Sequence, residues 1–251
     1  MALADEADAM TLARFRASDL VVESKPDLSP VTEADRTVEA ALRRRLAAER
    51  PDHDVLGEEM GVTPGGGGPG GRWRWVLDPI DGTKNYVRGI PVWGTLIALQ
   101  EGGHTVVGVV SAPALGRRWW AARGEGAYAD GDRLRVSAVG ELADAFLSCD
   151  DLPSFDRLGL ADALLGLGRR VWRLRGFSDF WGHLLVAEGA VDVAVNAEPG
   201  VNLWDLAPLK MIVEEAGGRF TDLSGTATDD GGSAVASNGF LHDEVLAAFA
   251  R

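Results

Sequence analysis

Two aspartates end an apolar stretch in the sequence WVLDPIDGTKNYVRG, which covers residues 75–89. They are Asp78 and Asp81, and a Gly-Thr pair follows them at Gly82 and Thr83. Carboxylates at this spacing across a turn can reach one ion, and hard cations such as Mg²⁺ prefer oxygen ligands. Asp-Gly is also a common turn dipeptide. The stretch therefore predicts either a tight turn or a site for a cation and a phosphate.

The residues around the two aspartates could complete such a site. Ile80 lies between them and can offer its backbone carbonyl to the same cation. A short helix that begins at Gly82 and Thr83 would present backbone N–H groups to an anion. The hydroxyl of Thr83 could orient a water molecule if a neighbouring carboxylate accepted its proton. The pattern thus favours phosphate chemistry assisted by cations.

Further carboxylates occur at the predicted ends of helices and strands, namely Asp35, Glu58, Glu59 and Asp205. They are candidates for the same site, although each has a simpler interpretation. Asp35 could cap its helix, Asp205 could complement the dipole of the following helix, and the two glutamates could be solvated. The histidines are scattered without the spacing of zinc ligands, which argues against zinc.

The composition argues against several classes of protein. The net charge of −13 disfavours a nucleic-acid surface, which needs clustered Lys and Arg. The single cysteine, Cys149, cannot form an intrachain disulfide. No apolar stretch approaches the roughly 20 residues of a membrane span, and the N-terminus lacks the pattern of a signal peptide. We therefore expect a cytoplasmic protein that binds neither nucleic acid nor a membrane.

The elements that must position the candidate carboxylates begin with two helices. Apolar residues at helical spacing predict the first from about residue 3 to residue 23, and a capping box at Thr32 and Asp35 predicts the start of the second. The glycine-rich residues 61–71 have the composition of a mobile linker, which could act as a flap. Strands are then predicted at residues 73–77, 92–100, 106–112, 117–122 and 133–137.

Strands and helices alternate from about residue 145 onward, and one of the helices is predicted at residues 155–167. This change of pattern predicts an N-terminal α+β half, residues 1–144, that carries most of the candidate ligands. The C-terminal α/β half, residues 145–251, then carries Asp205. We expect the two halves to form one compact unit.

Four stretches together resemble the inositol monophosphatase family of Mg²⁺-dependent, lithium-sensitive phosphatases. They are VTEAD at residues 31–35, GEE at 57–59, LDPIDGT at 77–83 and WD at 204–205. They occur in the order of the family, and the resemblance covers nearly the whole chain. It implies a layered α-β-α-β-α sandwich and a homodimer.

The resemblance also implies a set of ligands for two to three Mg²⁺ ions. Glu58, Asp78 and the carbonyl of Ile80 would hold the first ion. Asp78, Asp81 and Asp205 would hold the second, and Glu58 with water would hold a third, weaker one. An in-line attack by water on a phosphate monoester, without a covalent enzyme intermediate, would follow.

Other residues take their implied roles from the same resemblance. The amides of Gly82 and Thr83 would bind the phosphate, and Asp81 would also contact the substrate. Asp35 and Thr83, with Glu58, would orient and deprotonate the attacking water. Lys25 occupies the place of a lysine in a loop near the family's site.

Within the family, the sequence looks most like histidinol-phosphate phosphatases of the actinobacterial type. This implies L-histidinol phosphate as the substrate, in histidine biosynthesis. Asp179 and Glu198 would face its ammonium and imidazole groups, because charge-assisted hydrogen bonds are strong. Arg175 is a third candidate, with a structural or surface role as its alternative. An inositol-1-monophosphatase of broad specificity and a non-catalytic regulator that binds phosphometabolites remain as alternative functions.

Overall fold

The structure is a computed structural model that describes residues 1–25, 29–66, 68, 70–177, 179–197 and 201–250. The chain forms two compact units, Met1–Trp120 and Ala121–Arg251. The predicted division after residue 144 lies further along the chain than this boundary. No helix among the described residues combines the length and the apolar character needed to cross a membrane.

The described residues of the first unit form a mixed sheet and three helices. In chain order its elements are α1 (Ala2–Arg14), β1 (Val22–Ser24), β2 (Pro30–Thr32), α2 (Glu33–Glu49), β3 (Asp54–Gly57), β4 (Gly61–Thr63), β5 (Trp73–Asp81), α3 (Thr83–Val87), β6 (Gly94–Glu101), β7 (His104–Ala112) and β8 (Arg117–Ala122). The main strands are hydrogen-bonded in the order β8-β7-β6-β5-β3-β4, where β8 continues two residues past the end of this unit, and β1 pairs with β2 separately. Strand β3 runs parallel to β5, whereas β4 is antiparallel to β3 and β6 is antiparallel to β5.

The core of the first unit forms where α1 and α2 pack on this sheet. Val38, Leu42 and Leu46 follow one another at intervals of four residues, so they share one face of α2. They are buried in one cluster with Leu77 of β5 and Ile97 of β6. This packing fixes α2 against the strand that carries the candidate aspartates.

The second unit contains a five-stranded mixed sheet with helices packed against it. Its elements are β9 (Gly126–Ala129), β10 (Asp132–Arg133), a 3-10 helix (Leu142–Asp144), β11 (Phe146–Cys149), α4 (Leu152–Arg157), α5 (Ala161–Gly168), β12 (Arg173–Gly176), α6 (Asp179–Ala187), β13 (Val193–Asn196), α7 (Leu203–Glu215), β14 (Arg219–Thr221), β15 (Ala234–Ser237) and α8 (His242–Phe249). The strand order is β12-β11-β13-β15-β14, with β12, β11 and β13 mutually parallel. Leu147, Val193 and Val235 from the central strands form its core with helix α8.

Two predicted helices differ from the structure. The first helix ends at Arg14, because Phe15 turns away to pack against Tyr86 and Trp93. The helix predicted at 155–167 is divided into α4 and α5, since Gly159 adopts a φ of 69°, which breaks helical geometry. Of the strand predicted at 133–137, only Arg133 lies in a strand, the two-residue β10.

Two buried histidines of the second unit predict a dependence of stability on pH. Burial lowers the pKa of His183 to about 4, and burial together with the charge of Arg219 lowers that of His242 to about 4. Between this value and the ordinary pKa of 6.5, the unfolded chain binds protons that the folded protein excludes. Their contribution to stability is therefore complete above pH 6.5 and is lost as the pH falls towards 4.

As the pH falls from 6.5 towards 4, we expect each histidine to lower the free energy of unfolding by about 1.4 kcal/mol for every pH unit. The variant His183→Leu should have a shallower pH dependence than the wild type, because one of the two groups is removed. Urea denaturation at pH 7, 6 and 5 measures this difference. Parallel curves for the two proteins would show that His183 is not excluded from protonation in the folded state.

Candidate active site

The end of β5 brings the two aspartates of the opening motif together. Strand β5 has a bulge between Asp78 and Asp81. Asp78 pairs with Leu96 and Asp81 with Gly94, so β5 has one more residue than β6 between these two pairs. Such a bulge redirects side chains at the end of a strand. As a result, carboxylate oxygens of Asp78 and Asp81 lie within 4.8 Å of each other. The backbone N–H of Ile80 donates to Asp78 Oδ1 at 2.9 Å, which holds this carboxylate in place.

A five-residue helix, α3, follows directly after a left-handed residue. Gly82 precedes the helix with a φ of 82°, a conformation that favours glycine. The Thr83 hydroxyl lies 2.9 Å from the carbonyl oxygen of Ile80 and 3.4 Å from Asp35 Oδ1. Tyr86 anchors α3, because its ring packs on Trp93 and its hydroxyl donates to a backbone carbonyl of α1.

Asp35 both caps helix α2 and reaches the end of β5. Its Oδ2 accepts hydrogen bonds from the backbone N–H and the hydroxyl of Thr32, which completes the predicted capping box. Its other oxygen, Oδ1, points at Thr83. Burial raises the pKa of Asp35 to about 6, although the hydrogen bonds from Thr32 oppose this rise. The capping interpretation is therefore confirmed, and it leaves one carboxylate oxygen directed at the site.

Glu58 and Glu59 come to the same edge because β3 and β5 are parallel. Gly57, the last residue of β3, pairs with Leu77, which precedes Asp78. Lys25 Nζ lies 2.7 Å from a carboxylate oxygen of each glutamate. Burial raises the pKa of Glu58, and Lys25 offsets part of that rise. Burial would lower the pKa of Lys25, but the two glutamates outweigh it and raise this pKa.

The donor set of this edge fits a hard cation. Its carboxylates and the Ile80 carbonyl offer oxygen ligands of the kind that Mg²⁺ prefers. Asp78 is only 1% exposed and shares a side-chain hydrogen bond with Glu58, so two carboxyl groups meet largely away from water. Ionising both of them there is costly unless a cation neutralises the charge. The acidic members in the first unit are Asp35, Glu58, Glu59, Asp78 and Asp81.

The remaining candidates belong to the second unit. Asp205 lies in the first turn of α7 and accepts a hydrogen bond from the backbone N–H of Asn202 at 2.6 Å, so it also caps a helix. Arg175 is exposed on β12, the edge strand of its sheet. Asp179 begins α6 with a φ of 45°, which is uncommon for any residue but glycine. Glu198 lies outside the described residues.

The described part of the glycine-rich stretch begins beside Gly57, at the Glu58 end of the sheet, and leads to the opposite end. Residues 61–63 form β4, which runs away from the Glu58 edge. Asp54 starts β3 at the far end, and its carboxylate accepts hydrogen bonds from the backbone N–H groups of Gly65, Gly70 and Gly71. The structure therefore ties these glycines to Asp54 rather than placing them as a flap over the site.

One buried acidic residue close to Glu58, Glu39, is not among the predicted site residues. It lies in the middle of α2, whereas the predicted acidic residues lie at the ends of helices and strands. Its position beside Val38, on the apolar side of the helix, is the signal that could have identified it.

The whole chain, residues 1–251, matches the sequence profile of the inositol monophosphatase family. The chain therefore belongs to this family, as its four motifs predict. It is 57% identical to the histidinol-phosphatase of Mycobacterium tuberculosis over 98% of the chain and 94% of that protein. It is 53% identical to the histidinol-phosphatase of Streptomyces coelicolor over 97% of the chain and 92% of that protein.

A solved structure supports the same assignment. The IMPase of Thermotoga maritima aligns with a TM-score of 0.87 and 31% identity, over 99% of this chain and 94% of that one. The predicted fold class, in which mixed sheets are flanked by helices as in the inositol monophosphatases, is confirmed.

Proposed function

We propose that this protein is a Mg²⁺-dependent phosphomonoesterase that converts L-histidinol phosphate and water to L-histidinol and phosphate, in histidine biosynthesis. The observation that carries this proposal is the cluster of oxygen ligands at the end of β5, with the Thr83 hydroxyl beside it. The identity with two histidinol-phosphatases supports the choice of substrate. The family resemblance further supports a homodimer that acts in the cytoplasm.

The proposed cation ligands are those of the family. Glu58, Asp78 and the Ile80 carbonyl would hold one ion, Asp78, Asp81 and Asp205 would hold a second, and Glu58 would take part in holding a third. When bound, Mg²⁺ supplies a lowered pKa for the attacking water and stabilises the charge on the departing oxygen. Asp205 must come from the second unit, so its contribution is part of this proposal.

The chain's own groups then orient the reaction. The amides of Gly82 and Thr83 would hold the phosphate, and Asp81 would contact the substrate. The Thr83 hydroxyl hydrogen-bonds the water, and Asp35, aimed at that hydroxyl, accepts the proton through it. Glu58 helps to position the same water.

Phosphate release from a panel of esters tests this proposal. With Mg²⁺ present, we expect kcat/KM for L-histidinol phosphate to exceed that for inositol 1-phosphate and for glycerol phosphate. Comparable values for all three would favour the broad-specificity phosphatase of the family. Release from none of them, with bound phosphometabolite detected, would favour the non-catalytic regulator.

Asp179, Glu198 and Arg175 are the proposed substrate-selecting residues. We expect Asp179→Ala to raise KM for L-histidinol phosphate by about tenfold or more, because a charge-assisted hydrogen bond to the ammonium group is lost. KM for glycerol phosphate, which carries no ammonium group, should hardly change. Steady-state kinetics with the two esters measure this difference.

Asp179→Asn is the matched control for this prediction. Asparagine tolerates the left-handed φ of 45° that alanine does not favour, so it separates charge from backbone strain. If charge is what selects the substrate, both variants should show the same selective effect. Equal effects on the two esters would rule out an ammonium-binding role for Asp179.

A further inference from the structure

Glu39 is a fully buried glutamate directly beneath the Glu58 turn. Its Oε2 accepts a hydrogen bond from the backbone N–H of Glu59 at 2.8 Å, and its Oε1 accepts one from Met60 at 3.1 Å. Arg43, one turn further along α2, donates to the same Oε1 at 2.7 Å. The Glu39 side chain is 0% exposed. A single carboxylate thus binds the two residues that follow Glu58.

Gly57 shows how closely this carboxylate approaches the backbone. A Cβ atom added at Gly57 would lie 2.3 Å from Glu39 Oε1 and 2.4 Å from its carboxyl carbon. Real Cβ atoms do not come this close to another atom, so any larger residue would displace Glu39. No left-handed φ accounts for this glycine, because Gly57 has an ordinary strand conformation. The glycine of the GEE motif therefore makes room for Glu39.

Arg43 extends the same network to the far side of the turn. Its guanidinium donates to the carbonyl oxygen of Gly61 at 2.6 Å and to the Thr63 hydroxyl at 2.7 Å. Residues 58–60 are therefore held by α2 on both sides, at the end of β3 and at the start of β4. A buried ion pair is a poor source of net stability compared with apolar packing. The ion pair of Glu39 and Arg43 does, however, hold residues 58–60 in one geometry.

We infer that Glu39 is a positioning residue that holds the Glu58 turn in the geometry needed to bind the catalytic cation. The inference rests on the proposed function, because it takes Glu58 as a cation ligand. Glu39 itself touches neither the cation nor the substrate. Partners that orient metal ligands in this way typically change metal affinity by about 10–100-fold when they are removed.

Two variants disturb the contact between Glu39 and the Glu58 turn, one by changing Glu39 and the other by changing Gly57. Glu39→Gln keeps the size of the side chain but replaces one acceptor oxygen by an NH₂ group, which cannot accept a hydrogen bond. Gly57→Ala leaves Glu39 intact but forces it away from the turn. Asp8→Asn is the matched control, because Asp8 makes similar contacts in the same unit, to Ser111 and Arg118.

Calorimetric titration of the full chain with Mg²⁺ alone measures the effect. We expect both Glu39→Gln and Gly57→Ala to raise the Kd for Mg²⁺ at least about tenfold. Hydrogen exchange at the amides of Glu59 and Met60 should be faster in both variants without Mg²⁺. Asp8→Asn should bind Mg²⁺ like the wild type, even where its melting temperature is lowered.

Three results would overturn the inference. The first is a Kd for Mg²⁺ in the folded variants within about twofold of the wild-type value, and the second is an equal change in Asp8→Asn. The third is failure of both variants to fold while Asp8→Asn folds, since Glu39 would then support the whole unit. A wild type that binds Mg²⁺ but hydrolyses no ester would refute the proposed function and leave this test intact.

Discussion

Replacing Asp78 by asparagine should lower kcat/KM for phosphate release by at least about a thousandfold. Asp78 is the one side chain proposed to bind both principal cations, and asparagine removes its charge while keeping its size. Its carboxylate is held in place by the Ile80 N–H and is only 1% exposed. Steady-state kinetics over a range of Mg²⁺ concentrations measure the loss.

The same variant should be no less stable than the wild type when Mg²⁺ is absent. The carboxyl groups of Asp78 and Glu58 share a side-chain hydrogen bond, and Asp78 is only 1% exposed. Asparagine can donate to Glu58 through its NH₂ group while its oxygen still accepts from the Ile80 N–H, and it has no charge to desolvate, so the melting temperature without Mg²⁺ should stay the same or rise. The stabilisation that Mg²⁺ gives to the wild type should disappear. A thermal shift assay with and without Mg²⁺ follows both effects.

These opposite effects separate a loss of function from a loss of structure. If Asp78→Asn were inactive because it unfolds, its melting temperature without Mg²⁺ would fall clearly below that of the wild type. If it kept activity within about tenfold of the wild type, Asp78 would not be the shared ligand, since removing such a group costs far more.

Thr83→Ala and Asp35→Asn should each lower kcat by about 100–1,000-fold, because each interrupts the same path for the proton of the attacking water. The Thr83 hydroxyl lies 3.4 Å from Asp35 Oδ1, so the two groups are expected to act as one unit. The double variant should therefore be no slower than the slower single variant. Measuring kcat at saturating Mg²⁺ for all four proteins completes the cycle.

Thr83→Ser is the control for this prediction. Serine keeps the hydroxyl and should retain kcat within about tenfold of the wild type, because the proton path is preserved. Asp35→Asn also weakens the cap of α2, which costs about 1 kcal/mol of stability, so its folded fraction must be checked by circular dichroism. Losses that multiply in the double variant would mean that Asp35 and Thr83 act separately.

The parts of the fold that local sequence determines could be predicted. The capping box at Thr32 and Asp35 starts α2 where it was expected, because both partners lie within four residues. The end of the first helix could not be predicted in the same way. Phe15 leaves the helix to join Tyr86 and Trp93, which are about 70 residues away in the sequence. Contacts of this kind appear only once the chain is folded.

In the candidate site, too, local features could be predicted from the sequence, whereas contacts between distant residues could not. Asp78 and Asp81 lie within one short motif, so their proximity follows from the turn between them. The partners of Lys25 and Glu39 were not foreseen, since both side chains meet the Glu58 turn through contacts that span about 20 to 30 residues. The roles of the second-unit residues rest on the family resemblance and stay predictions.

The glycine-rich loop is attached far from Glu58, so the loop and the candidate site can change independently in evolution. Residues that follow β4 are bound to Asp54, one length of β3 away from Glu58. Insertions or deletions in that loop alter neither the register of β3 with β5 nor the side chains at its other end. A lineage can thus vary the surface it presents to the cell there, while the chemistry at the opposite end is inherited intact.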